Sequence, residues 1–335
     1  MYKLKQIPED FLVTEISSIP RSDNGRYHYY KLKKKNRNTI DAVKQLAKTL
    51  GIKEKQIGFA GNKDRNAVTE QIISIIGVNK EKISSIALSD MSLEFIGYAD
   101  KPISLGDLNG NAFEIVVRNL DDNQITNNPI SFCENYFDEQ RFSKNNVEIG
   151  KMFLKKNFEK AVELIDHPVC LNHLKKFPKD FVGAIRRIPI RSLRIYVNAY
   201  QSMLWNKTVV SYLERHCSVV KKVPYSQGEL VFVKDKIDLK VPIVGFDSRS
   251  LESGEIKQII VDLLKKEEME YSDFLIKQIP QLSLEGELRT VFIDVNNFVL
   301  GKSEDDELNF EKKKIKISFT LPKGSYATMV VKKVF

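Results

Sequence analysis

The sequence predicts an α+β protein in which a strand-rich domain is interrupted by a more helical insertion. Three observations carry that prediction: alternating strand patterns near the N-terminus, helical periodicity through the middle, and renewed alternation near the C-terminus. A chain of 335 residues is long enough for about two domains and buries enough surface to need no staples.

Phe11-Leu12-Val13-Thr14-Glu15-Ile16 alternates as a half-buried strand, and residues 27–32 read as a second strand after the turn at Asn24-Gly25. A helix follows, with Thr39 as N-cap and Asp41 in the first turn. Ile40, Val43, Leu46 and Leu50 form its apolar stripe, and Gly51 stops it. A loop then leads into a strand over residues 71–76. From Asn111 the alternation resumes, so that Asn111, Phe113, Ile115 and Val117 share one face. The polar stretch 121–129 ends this first block. In the middle region a helix is expected from Ser192 as N-cap, carrying Leu193, Tyr196, Val197, Tyr200, Met203 and Leu204 at helical spacing. Ile315, Ile317, Phe319 and Leu321 alternate again before the turn at Pro322-Lys323-Gly324.

Hydrophobic residues make up 42% and charged residues 29%, as in globular proteins, and no run of 18 apolar residues occurs. The first ten residues lack the apolar stretch of a signal peptide, so a cytoplasmic location is the expectation. Cys133, Cys170 and Cys217 are odd in number and far apart, which argues for a reducing compartment. The net charge of +9 makes a polyanionic partner plausible, although a lysine-rich chain also solvates itself with lysine. Basic residues concentrate in positions 1–40, at Arg186, Arg187, Arg191 and Arg194, and at Lys312, Lys313, Lys314 and Lys316.

Several apparent motifs carry no chemistry. Gly301-Lys302-Ser303 resembles a P-loop end, but Asn296 stands where the phosphate-cradling glycine belongs. His167, Cys170 and His173 have zinc-compatible types without an evident fourth ligand. The segment 58–71 is different: Asp64 lies between Lys63 and Arg65 in a turn punctuated by Gly58 and Gly61. Two neighbouring cations favour an ionised carboxylate, and the glycines allow close backbone approach to a ligand. Such an aspartate suits a nucleophile or base acting on a nucleic acid; from local chemistry alone it equally suits a turn aspartate that caps the backbone.

The segment Gly61-Asn62-Lys63-Asp64-Arg65-Asn66-Ala67-Val68-Thr69-Glu70-Gln71 resembles the signature of the tRNA pseudouridine synthase D (TruD) family. Further segments agree in order: Lys5 with Pro8-Glu9-Asp10-Phe11, residues 105–113, residues 135–142, Ala199-Tyr200-Gln201-Ser202, and residues 321–328. Residues 218–288 carry no motif that the resemblance assigns. It implies a pseudouridine synthase catalytic domain with a mixed, mainly antiparallel sheet, discontinuous over 1–131 and 292–335. An inserted α/β domain characteristic of the family would occupy 132–291.

The resemblance also implies a cofactor-free isomerase that converts uridine to pseudouridine, with uridine 13 of certain tRNAs the usual target; no metal is expected, since no ligand set stands out in the sequence. Its partner would be tRNA; no membrane association is expected from the lack of apolar runs, and no obligatory protein partner is evident in the sequence. Asp64 would be the essential aspartate, and Phe11, Asn111, Phe113 and Tyr326 would contact substrate. Lys5, Lys63 and Arg65 would support, with Lys5 preferred over Lys63 as the partner of Asp64. Tyr326 stands where many bacterial members have phenylalanine. A uracil in folded RNA must be flipped out to react, and an amide and aromatic rings suit its edge and face. Attack at C6 of uracil or at C1′ of ribose stays open. Two rival classes are a non-catalytic tRNA- or RNA-binding protein and a metal-dependent RNA hydrolase. Intact Asp64, Asn111 and Phe113 weigh against the first, and the lack of a metal-ligand constellation weighs against the second.

Overall fold

The computed structural model describes residues 2–86, 88–122, 129–143, 145–251 and 253–335. The N-terminal alternation becomes β1 (Phe11–Ile16), in which Phe11, Val13 and Glu15 are buried while Thr14 and Ile16 are exposed. β2 (Tyr27–Lys35) runs three residues past the expected end, because its lysine-rich tail stays paired with the neighbouring strand through Lys35 and Val68. In α1 (Thr39–Leu50) the N-cap is Asn38, whose side chain accepts the Asp41 amide, and not Thr39. Thr39 is the first helical residue and fully buried, with its hydroxyl used elsewhere. Ile40 faces solvent, and the buried stripe is Ala42, Val43, Leu46, Ala47 and Leu50. Gly51 ends the helix at φ +70, a left-handed conformation that suits glycine.

β3 (Ile57–Phe59), β4 (Val68–Ile76), α2 (Lys80–Ser84), β5 (Met91–Ala99) and β6 (Gly110–Leu120) follow. β4 begins three residues earlier than expected, and the short β3 has no alternation long enough to announce it. Gly58 lies in β3 and not in the turn beside Asp64. A Cβ there would come 2.3 Å from the Ile103 carbonyl oxygen, so this glycine serves packing within the protein.

β7 (Phe132–Glu134) leads to α3 (Glu139–Phe142), α4 (Asn146–Leu154), α5 (Phe158–Ile165), α6 (Pro168–Lys176), α7 (Phe181–Ile185) and α8 (Ile190–His216). After these come β8 (Val219–Tyr225), β9 (Gly228–Val233), β10 (Lys240–Ile243), α9 (Gly254–Lys266), β11 (Glu287–Thr290), β12 (Phe292–Asp294), β13 (Asn296–Asp305), β14 (Lys313–Pro322) and α10 (Ala327–Val334). α8 starts at Ile190 behind Pro189, so Ser192 sits inside its first turn and not at the cap.

The chain forms two compact units, one from Met1–Phe132 with Asp294–Phe335 and the other from Cys133–Ile293. Of the polar stretch read as ending the first block, residues 123–128 lie outside the described residues. The first unit is built on an eight-stranded sheet in the order β13-β14-β6-β1-β4-β2-β5, with β3 also on β4. β1 and β4 are parallel and the other pairs antiparallel, so the protein is α+β with a mixed, mainly antiparallel sheet. β1 and β3 share one edge of β4, at Val68–Glu70 and Ile73–Ile75 respectively. α1 packs on the face carrying Tyr30, Leu32, Ile73 and Ile75, leaving the same face of β1, β6 and β14 beyond its N-terminus.

The second unit is organised around α8, which packs against α4, α9, β9 and β10. Buried polar side chains along it find backbone partners: Trp205 donates to Val241 O, Gln201 to Val244 O, and the Asn206 amide bonds both backbone groups of Phe137.

Candidate functional site

The loop between β3 and β4 carries Asp64 over the sheet face next to the N-terminus of α1. Its path is set by side chains, since Gln71 Nε2 donates to Gly61 O at 3.1 Å and the Lys63 amide donates to Thr39 Oγ1 at 2.9 Å. Thr39 in turn donates to Gln71 Oε1 at 2.9 Å. That buried relay explains why Thr39 is not free to cap its own helix.

Asp64 meets Lys5, whose Nζ lies 2.6 Å from Oδ2. The side chains are 24% and 35% exposed, so the pair is open to solvent on one side. Lys5 holds a left-handed backbone conformation, φ +57, which a non-glycine residue adopts at a cost of roughly 1–2 kcal/mol. The flanking chain sustains it. Lys3 and Arg118 exchange both backbone hydrogen bonds, and the turn Pro8–Asp10 is closed by Asp10 Oδ2 accepting the Ile7 amide.

Arg118, buried on β6, anchors that strap. Its guanidinium donates to Asp10 Oδ1 and Asp306 Oδ1 at 2.8 Å and to Glu307 Oε1 at 3.0 Å. Burial opposes charge on Asp306. The amides of Asn119 and Leu308, with Asn309 and Arg118, outweigh that and hold its carboxyl below the usual range. Hydrogen bonds from Arg118 and then Lys314 hold the Glu307 carboxyl down to about 2.

Lys63 points away from Asp64. Its buried Nζ lies 3.0 Å from Glu15 Oε2 and donates to Asn111 Oδ1 at 2.5 Å. Glu15 and Asn111 are cross-strand partners on β1 and β6, so one lysine ties loop and sheet together. Because an ammonium only donates, this contact fixes the Asn111 amide with oxygen towards Lys63, so its NH2 is the group left to donate elsewhere.

Phe11 and Phe113 share this sheet face with Asn111. Their rings meet edge-on at 6.2 Å, Phe113 lies 5.5 Å from Phe319, and Phe319 stacks on Phe298 at 6.2 Å. Lys5 Nζ sits 4.1 Å above the Phe11 ring, a contact worth about 0.5–1 kcal/mol. One lysine therefore joins a carboxylate to the end of a dry aromatic row.

Arg65 is exposed. Tyr326 caps α10 four residues beyond Pro322, the β14 residue opposite Gly110, so it is at the Asn111 end of β6. Gly110 permits that junction, since a Cβ there would lie 2.3 Å from Leu321 O.

Sequence reasoning missed Lys34, a buried residue of β2 whose Nζ donates to the carbonyl of Asp64 at 3.3 Å and to that of Arg37. Burial pulls its pKa down to about 8, the Asp64 carboxylate works against this, and Lys63 adds to it. A signal existed: Tyr30, Leu32 and Lys34 alternate on one face, which puts a lysine inward. Glu15, on the buried face with Phe11 and Val13, carried the same signal. Among the described residues no three His, Cys, Asp or Glu side chains cluster as metal ligands, and no helix is long and apolar enough to cross a membrane.

Comparison with known proteins shows what the chain as a whole is similar to. The family profile described as tRNA pseudouridine synthase D (TruD) matches residues 2–169 and 167–334, including the stretch 218–288 where no motif was legible. A probable tRNA pseudouridine synthase D 1 of Methanococcus maripaludis is 30% identical, with 99% of each chain covered. A tRNA pseudouridine synthase D of Aquifex aeolicus is also 30% identical, covering 99% of this chain and 98% of that one. The crystal structure of a putative tRNA pseudouridine synthase D from Methanosarcina mazei superposes with a TM-score of 0.74 at 26% identity, over 99% of this chain and 93% of that one.

Proposed function

Since the chain belongs to the tRNA pseudouridine synthase D family and is an isomerase acting on tRNA, we propose that it converts uridine 13 of tRNA to pseudouridine with Asp64 as the reacting carboxylate. The observation that carries this reading is the Lys5–Asp64 ion pair at the end of the aromatic row through Phe11 and Phe113. The pair sets an oriented carboxylate beside an apolar floor, which is what a flipped base needs.

In this reading the first unit is the catalytic domain and the second the inserted one, and the protein works in the cytoplasm, where its tRNA is. The uridine leaves its stack, and the Asn111 NH2 donates to a carbonyl oxygen of uracil while Phe113, Phe11 and Tyr326 line its faces. Asp64 attacks C6 of the ring or C1′ of the ribose, and the N1–C1′ bond breaks. The base turns, C5 bonds to C1′, the bond from Asp64 to C6 or C1′ breaks to return the free carboxylate, and the proton on C5 passes to solvent while N1 takes one up. Lys5 holds the carboxylate for attack, Lys63 orients Asn111, and Arg65 offers its charge to the RNA backbone. No step calls on a cofactor or a metal.

The test is tritium release from a tRNA transcript labelled at C5 of uridine, followed by mapping of the modified position. Stoichiometric release from position 13 is expected. Binding without release would leave an RNA-binding protein and no isomerase.

A further inference from the structure

We propose that the arginine cluster Arg186, Arg187, Arg191 and Arg194 is a docking surface on the second unit for the phosphate backbone of the substrate tRNA, an inference that rests on the isomerase reading above. The sequence asymmetry is steep. Residues 167–213 hold eight Lys and Arg against the single acid Asp180, a net of +7 in a chain whose total is +9. Four of the chain's 13 arginines fall within nine positions, although lysine outnumbers arginine three to one. Arginine is the side chain suited to bidentate contact with phosphate.

The geometry leaves most of that charge uncompensated, since Asp180 feels the charge of Arg186 without forming an ion pair with it. Arg186 and Arg187 occupy the link between α7 and α8, and Arg191 and Arg194 lie one turn apart at the start of α8; all four are exposed. Arg186 donates to Gln278 O at 2.6 Å and Arg194 to Gln281 O at 3.2 Å, contacts that orient two guanidiniums without neutralising them. No carboxylate pairs with any of the four among the described residues. The first turn of the 27-residue α8 has no acidic residue, so the positive end of the helix dipole adds to the same field.

The other basic cluster supplies the contrast. Lys312 pairs with Asp121 at 2.6 Å, Lys313 with Asp305 at 2.8 Å, Lys314 with Glu307 at 2.6 Å, and Lys316 with Glu114. Those lysines are neutralised within the protein. The arginines await a polyanion, and the tRNA that the enzyme must hold is one.

The test measures tRNA binding against potassium chloride concentration, with tritium release in parallel. Arg187→Ala/Arg191→Ala is expected to lower the slope of log K against log salt by nearly two, to weaken binding about 10-fold or more at low salt, and to keep kcat within about twofold at saturating tRNA. Arg187→Lys/Arg191→Lys should restore most of the slope. Lys312→Ala/Lys313→Ala removes the same charge and should change the slope by about half a unit or less. Equal slopes for wild type and the arginine-to-alanine variant, or equal losses in the arginine and lysine variants, would overturn the proposal. The first outcome would mean that the cluster serves some other partner, such as an acidic protein. Absence of release by the wild type would instead overturn the isomerase reading, and the binding arm would still decide the docking surface.

Discussion

Lys5 and Asp64 stand 59 residues apart in sequence and meet in a 2.6 Å ion pair. Neither residue reaches the other through local structure. β6 supports Lys5 through Arg118, and the relay of Thr39 and Gln71 supports the loop bearing Asp64. Replacing Lys5 by methionine removes a hydrogen bond to a charged group, worth about 1.5–3 kcal/mol, or roughly 10- to 100-fold in kcat. The KM for tRNA should move by no more than about threefold. Steady-state tritium release checks this, and an unchanged kcat would detach Lys5 from the reaction.

Lys63 and Arg65 flank Asp64 in sequence and separate in space. Lys63→Met leaves the Glu15 carboxylate buried without its cation, a loss of about 3–5 kcal/mol. The double variant Lys63→Met/Glu15→Gln should recover most of the melting temperature and stay slow, since Asn111 still lacks its orienting lysine. Recovery of both stability and turnover would show that Asn111 needs no such partner. Arg65→Ala should leave kcat within about twofold and raise KM.

The pH dependence follows from Lys34, which burial holds at about 8, well below the ordinary lysine value near 10.5. Between those values the unfolded chain binds more protons than the folded one, so this group's contribution to stability rises with pH across that window. Below about 8 both states hold the proton and the full cost of burying the charge remains. Wild type should therefore gain stability relative to Lys34→Met between pH 7 and pH 10 in urea unfolding, and a constant difference would contradict the buried charge.

Arg118→Met should cost about 3–5 kcal/mol near neutral pH, because Asp10 and Asp306 stay buried without their cation. Asp306 and Glu307 have carboxyls held below their ordinary range, so the network stabilises above about pH 4 and fades as pH falls towards 2. The gap between variant and wild type in chemical unfolding should narrow over that interval. A gap of equal size at pH 2.5 and pH 7 would contradict this electrostatic origin.

How much of this was legible depends on the range of the physics involved. β1, β6, β14 and most of α1 follow from periodicity, which is local and strong. Ser192 and Thr39 were misread as caps because Pro189 and Asn38, three and one residues earlier, have the better claim. Asn111 and Phe113 share a face by alternation alone, yet their company with Phe319 and Phe298 depends on strand order, which no local pattern reveals. The two basic clusters look alike as sequence. Only cross-strand partners such as Asp305 and Glu114 distinguish the neutralised lysines from the open arginines. The Lys5–Asp64 pair came within reach through the family resemblance, since a separation of 59 positions leaves no local pattern that links the two.

The central claim is that the Asp64 carboxylate performs the isomerisation, and Asp64→Asn tests it most directly. The amide keeps the shape and a hydrogen-bonding oxygen but removes the charge. With tRNA labelled at C5 of uridine, the variant should release no tritium above background under single-turnover conditions while binding tRNA within about threefold of wild type. Release at the wild-type rate would contradict the account and remove Asp64 from the chemistry.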